Sequence, residues 1–456
     1  MPKREKRKRG VSRLPKLAFN APEAMSVWFM GFANLIHGQI VKGLLFLALE
    51  AAYIYFMVVR GVGIINKMLS LGTVEQGWVT PKGSKIPVLA AGDNSMLCLI
   101  YGVAVLIVTI VFIGFYIINI QSARQMLAYR LSGKKAPGFI HDLKSLLDEK
   151  FHITLMTPAL IGILVFTILP LVYMILIAFT NFDKNHQPPG NLFDWVGLGN
   201  FINMLGGNKL LSNTFFPVLG WTLIWAVLAT FSNYILGIML ALLINKKGIR
   251  YKAMWRTFFV VTIALPQFIT LLVMRNMFND YGPINELLVN LGFITNATRI
   301  HFLNETLLAR ITVLVVNLWI GIPYTMLIST GVLMTIPEDM YEAATIDGAS
   351  SFRLFTSITM PYMIFVTTPY LITQFIGNIN NFNVIYLLTA GNPTTSSLYQ
   401  AGRTDLLITW LYKLTVDNRD YNLASTIGII VFVISAAISL ITYRNTVAYK
   451  REEEFS

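Results

Sequence analysis

Four side-chain amides crowd one short stretch of the chain: Gln374, then Asn378, Asn380 and Asn381. Gln374, Asn378 and Asn381 stand at i, i+4 and i+7, so on a helix they share one face. An amide both donates and accepts hydrogen bonds, as a hydroxyl does, and it costs free energy in hydrocarbon unless partnered. Such a stripe has two uses. It can glue neighbouring membrane helices together, or it can wall the path of a hydroxyl-rich solute such as a sugar, whose apolar ring faces aromatic side chains cover. A second polar run, Asn317-Leu318-Trp319-Ile320-Gly321-Ile322-Pro323-Tyr324, lies one apolar segment earlier.

A third element has a different character. Residues 337–361 read PEDMYEAATIDGASSFRLFTSITMP between two long apolar segments. Glu342-Ala343-Ala344 favours a helix, and its small side chains let another surface come close. Gly348 suits a left-handed helix end. Pro361 restricts the residue before it and is suited to begin the following span. The expected product is a short, stiff knob. Glu342, helped by Asp347, is its natural partner for a basic residue on another protein.

Other chemistry is excluded or unsupported. No GxxxxGK[ST] string occurs, so the chain has no phosphate-cradling loop of its own. The single cysteine, Cys98, rules out a disulfide framework and a cysteine-built metal site. Five scattered histidines give no metal spacing. No catalytic cluster of a membrane enzyme stands inside an apolar segment. A self-contained secondary transporter would carry intramembrane charged relays or inverted repeats, and neither is evident.

The polar elements need a membrane bundle to hold them. Of 456 residues, 55% are hydrophobic and 13% charged, with mean hydropathy +0.60; soluble domains carry about 25% charged residues. A span needs about 20 mostly apolar residues. Eight candidates follow: 39–59, 96–120, 153–180, 217–244, 257–279, 308–336, 362–388 and 423–443. Pro158, Pro170, Pro266, Pro323 and Pro369 fall inside them, as membrane helices tolerate. The net charge of +13 is read as topology rather than nucleic-acid binding. With the N-terminus inside, the inner segments carry 23 Lys and Arg and the outer ones 10. The charge bias therefore puts Glu342 in the cytoplasm. Residues 1–38 are a basic cytoplasmic segment touching lipid head groups, with 19–37 as a candidate interfacial helix. The run at 3–9 lacks the adjacent apolar core of a signal peptide. Glu50, inside the first span, takes no assigned role.

The spacing EAA-x3-G-x9-I-x-L-P, with Met360 in the Leu place, resembles the cytoplasmic loop of ABC importer permease subunits. The strings NNFNVIYLLTAGNP (380–393), TDLLITWLY (404–412) and LASTIG (423–428) resemble the maltose/maltodextrin branch, specifically its larger, MalF-type subunit. So do Phe179-Thr180-Asn181-Phe182, Trp195-Val196-Gly197-Leu198 and Asn200-Phe201. The resemblance implies an all-α polytopic membrane protein of about eight transmembrane helices with a six-helix type I permease core. The implied parts are two extra N-terminal helices and a basic linker over 39–150, a third span with a short outer loop over 151–216, the core over 217–444, and a cytoplasmic tail over 445–456. It implies that Glu342, Ala343, Ala344, Asp347, Gly348 and Pro361 couple to an ATPase. It implies a sugar pocket of Asn317, Ile320, Gly321, Tyr324, Gln374, Gly377, Asn378 and Asn381. Two positions depart: Gln374 replaces a small hydroxyl and Gly377 an aromatic, which predicts a wider cavity. The implied partners are a second, MalG-type permease, a MalK-type ATPase dimer carrying ATP and magnesium, an extracellular or periplasmic sugar-binding protein, an oligosaccharide and membrane lipid. The implied place is the bacterial cytoplasmic membrane. The outer loop 181–216 is too short for an inserted domain, which leans towards a lipid-tethered binding protein.

Overall fold

The computed structural model describes residues 15–18, 21–80, 86–246 and 248–444. The basic run at 3–9 and the tail 445–456 lie outside them. The chain divides into two units, Met1–Trp195 and Val196–Ser456.

In the first unit, α1 (Ile40–Ser70) and α2 (Ser95–Leu131) form a pair of long apolar helices. Asn94 opens α2 by accepting the Leu97 N–H at 3.2 Å, which satisfies an otherwise orphaned donor. Between them a small hairpin pairs β1 (Gly77–Val79) with β2 (Val88–Ala90), Trp78 opposite Leu89. α3 (Phe139–Leu147) is short and amphipathic, and α4 (Phe151–Ile177) is a third long apolar helix. α1 and α4 leave most of their apolar side chains exposed, as lipid-facing surface requires.

The stretch ahead of α1 is not one interfacial helix. It is a 3₁₀ turn at Pro22–Val27 and a short helix at Phe32–Ile36. Asn119 of α2 pins it, accepting the Gly31 N–H and donating to the Ser26 carbonyl, both at 2.8 Å. Buried amides override amphipathicity here, while Trp28 stays 77% exposed and Phe29 54%. Glu50 gains a role: its Oε2 accepts the Met30 N–H at 2.8 Å.

The second unit begins its long helices with α5 (Lys209–Asn245), capped by Asn208. α5 lies against α8 (Thr306–Leu333) along much of its length. A Cβ on Gly237 would sit 2.6 Å from the Thr325 Cβ, so the two backbones cross where only glycine fits. Gly237→Leu is expected to cost about 1–3 kcal/mol by overpacking, read as a lower melting temperature of the purified protein, with Gly220→Leu, in open space, as the control.

Two expected spans are broken. The segment 257–279 is α6 (Lys252–Ala264) and α7 (Gln267–Met277), bent by 90°. Pro266 lacks an N–H and drives Leu265 to an extended ψ of 132°. The segment 362–388 is α10 (Met360–Ile379) and α11 (Phe382–Thr389), parted at Asn380 and Asn381. Between α8 and α10 stands α9 (Glu338–Ile346), and the unit closes with α12 (Leu407–Val416) and α13 (Tyr421–Arg444). Among the described residues six helices are long and apolar enough to cross a membrane, or seven if the bent pair counts as one span. The remaining expected span, α10, carries Thr367, Thr368, Thr373, Gln374 and Asn378, which lower its hydropathy.

The segment joining α11 to α12 is knotted. Asp405, 1% exposed, accepts from Lys413 Nζ at 2.6 Å, Gly402 N–H at 2.7 Å and Thr409 Oγ1 at 2.8 Å. Burial lifts its carboxyl above the ordinary carboxylate range, against the pull of Lys413 and the other donors. Two core clusters flank α5. One gathers Phe215, Leu407, Trp410, Leu414 and Ile427, and the other Trp221, Trp225, Val316, Val384 and Ile385.

Candidate functional site

The knob is built as its residues dictate. Pro337 precedes α9, and Glu338 and Asp339 place negative charge at its N-terminus, where the helix dipole favours it. The helix ends at Gly348, whose φ is +78°. Gly348 N–H donates to the Thr345 carbonyl and Ala349 N–H to the Ala344 carbonyl, both at 3.0 Å. These are the two bonds of a Schellman stop. Tyr341 ties the knob to the next helix through a 2.9 Å contact between its hydroxyl and Thr359 Oγ1. Glu342, Ala343 and Asp347 are exposed, and Ala344 is half-buried.

Pro361 does not start the following helix. Ser350 caps a helical segment at Ser351–Leu354, which runs through a π turn at Phe355–Thr359 directly into α10. The wider π turn supplies room for the proline ring and its missing donor. Composition hid another feature: Ile346 is 86% exposed and Phe352 77%. Large exposed apolar side chains in the same stretch as Glu342 mark a surface suited to be covered. Their signal was apolar residues inside an otherwise polar loop.

The polar residues of α8 and α10 converge on one turn of α5. Asn378 is buried and donates to Thr230 Oγ1 at 2.9 Å. Asn381 donates to Asn378 Oδ1 at 3.4 Å, and its own Oδ1 accepts the Val384 N–H at 3.2 Å, which caps α11. Three residues along α5, Asn233 packs on Gly321: a Cβ there would lie 2.3 Å from the Asn233 amide. Asn317 is buried, and its Nδ2 and the Asn233 Oδ1 are a buried donor and acceptor without partners among the described residues. Ile320 packs with the Trp225 and Val384 cluster. Tyr324 is half exposed, its ring centroid 6.2 Å from that of Tyr370. Gln374 is half-buried and Gly377 exposed, with no atom within 4 Å of where its Cβ would stand. Thr230 and Asn233 were missed because single hydroxyls and amides in a span read as ordinary packing. At the second break, Asn383 Nδ2 donates to Gln267 Oε1 at 3.2 Å, joining α11 to α7. A groove of about 260 Å³, walled by Phe231, Thr368, Ile372 and Phe375 and sharing Thr230 with the seam, is mostly apolar and holds none of the predicted residues.

Long apolar helices, two broken segments, a buried polar seam and an exposed helix between spans define a multi-pass membrane transport subunit. The chain matches the family described as binding-protein-dependent transport system inner membrane component over residues 233–448. It is 34% identical over 425 residues to the galactooligosaccharides transport system permease protein GanP of Bacillus subtilis, covering 92% of this chain and 96% of that one. It is 35% identical over 432 residues to the maltodextrin transport system permease protein MdxF of the same organism, covering 93% and 95%. Its likeness to the maltose/maltodextrin permease MalF of Vibrio cholerae is 36% over 256 residues, 55% of this chain and 48% of that one. Its fold is similar to a chain of a bacterial ABC transporter that imports alginate, with TM-score 0.55, 22% identity and coverage of 67% of this chain and 97% of that one. The chain belongs to the binding-protein-dependent transport system inner membrane component family, the permease subunits of ABC importers. As a permease subunit it is not itself an enzyme.

Proposed function

We propose that this chain is the permease subunit of an ATP-driven oligosaccharide importer, with a maltodextrin-type glucan as substrate. The likeness to GanP and MdxF along nearly the whole length of all three chains carries the reading. The polar seam supports it, because the partly exposed Gln374 beside the buried amides can both donate to and accept from sugar hydroxyls. The space at Gly377 suits a bulkier or longer sugar than an aromatic residue there would admit. The similarity to GanP favours a galacto-oligosaccharide as the second reading.

In this reading, a binding protein delivers the sugar from outside. A second permease completes the pathway, and an ATPase dimer holds ATP and magnesium. The Glu342 knob docks on that ATPase in the cytoplasm, where both termini lie by the charge bias. Closure of the ATPase rocks the subunits between outward- and inward-facing states. The co-expressed complex in proteoliposomes should import labelled maltodextrin in preference to galacto-oligosaccharide; the reverse preference moves the substrate to the second reading.

Asn378→Leu and Asn381→Ala should each lower uptake and sugar-stimulated ATP hydrolysis about ten-fold, the worth of roughly one charge-free hydrogen bond. Thr230→Val breaks the Asn378 bond without touching the sugar face, so it should retain most uptake. Equal losses in all three variants would assign the amides to packing.

A further inference from the structure

We infer that the first unit carries a binding site for one anionic phospholipid, in the groove between α1, α2 and α3. The groove encloses about 530 Å³, within the range of small-molecule sites. Leu45 and Leu49 of α1 and Phe115 of α2 give it an apolar floor, and Leu143 of α3 lines the opposite side. Lys42, Asp142 and Lys150 stand around it and are its only charged members. The groove beside Phe231 and Phe375 in the second unit has no charged lining residue and so no such means of reading a head group.

The chemistry follows from depth. Lys42 lies three residues into α1, so the charged mouth sits at a membrane boundary and the floor reaches into hydrocarbon. α3 presents apolar side chains outward: Ile140 is 69% exposed, Leu143 51% and Leu147 68%. Such a helix lies in the interfacial plane and roofs the groove with lipid on its far side. Lys42 Nζ donates to Asp142 Oδ2 at 2.7 Å, and an ammonium has two further donors to offer a phosphate oxygen. Two lysines against one aspartate leave the mouth net positive. A phosphate diester with an uncharged glycerol head fits that balance, its acyl chain lying over Leu45, Leu49 and Phe115. A choline or ethanolamine head adds a cation that Lys42 and Lys150 repel. On the cytoplasmic side, basic pockets between spans are where acidic head groups are held.

The test is native mass spectrometry of the purified full-length protein titrated with phosphatidylglycerol, phosphatidylethanolamine or phosphatidylcholine of matched chains. One phosphatidylglycerol should be retained roughly five-fold better than either zwitterionic lipid, as one unopposed lysine provides. Lys42→Ala with Lys150→Ala should erase the preference, whereas the double arginine variant should keep it. Leu49→Trp, which fills the floor but leaves the charges, should lower retention of every lipid. Inorganic phosphate should not displace the bound lipid. Equal retention of the three lipids, an undiminished preference in the double alanine variant, or displacement by free phosphate would each overturn the assignment. If the alanine variant does not fold, an unchanged lipid count in Leu49→Trp does so instead.

Discussion

Glu342→Lys should abolish ATP-driven uptake in the reconstituted importer while leaving the subunit folded and inserted. The side chain is exposed, so its replacement costs the isolated chain little. The effect arises on docking. In the proposed docking, the Glu342 carboxylate enters a groove of the ATPase and loses its water, and a reversed charge there would meet the like charge of a basic partner residue. Disrupting a desolvated pair costs about 2–5 kcal/mol, so uptake should fall roughly thirty-fold to several thousand-fold. Ile346→Asp should behave alike, because it removes the apolar half of the same surface. Uptake and ATP hydrolysis in proteoliposomes, with the elution volume of the purified complex, measure both. Normal uptake by Glu342→Lys would remove the coupling assignment.

Asp405→Ala should destabilise the second unit by about 3–5 kcal/mol, since it strands a largely buried lysine. Lys413 is only 14% exposed at its side chain, and the same carboxylate holds the Gly402 N–H and Thr409. A double variant, Asp405→Ala with Lys413→Met, should recover much of the loss, because no charge is then left without a partner. Thermal unfolding of the detergent-solubilised protein reads the difference. Equal melting temperatures for the single variant and the parent would show that the knot does not hold the fold.

The sequence exposes what depends on local composition. Apolar length marked the long helices, and Gly348 marked a left-handed stop because few other residues tolerate one. Both breaks were averaged away. A window across 257–279 sees apolar letters on either side of Pro266, and only geometry shows the 90° bend. Likewise Asn381 read as a member of a helical stripe, yet it lies past the end of α10 and its side chain caps α11. The site residues on α8 and α10 were legible as polar letters in apolar surroundings. Their common footing on Thr230 and Asn233 was not, since it is a contact between segments far apart in the chain. Asp405 and Lys413 stayed hidden for another reason: eight positions apart, they look like ordinary loop charges, and their burial shows only in the fold.

The helical path from Ser351 through the π turn to Ile379 is unbroken. At 1.5 Å per residue it makes a rod of roughly 40 Å, with Phe352 near one end and Asn378 at the other. A tilt of about five degrees at the knob end therefore sweeps the amide end by roughly 3.5 Å, more than the length of a hydrogen bond. The gearing needs no relay of side chains between the two ends; a lever suffices, and its soft points are the widened turn ahead of Pro361 and the missing backbone donor at Pro369.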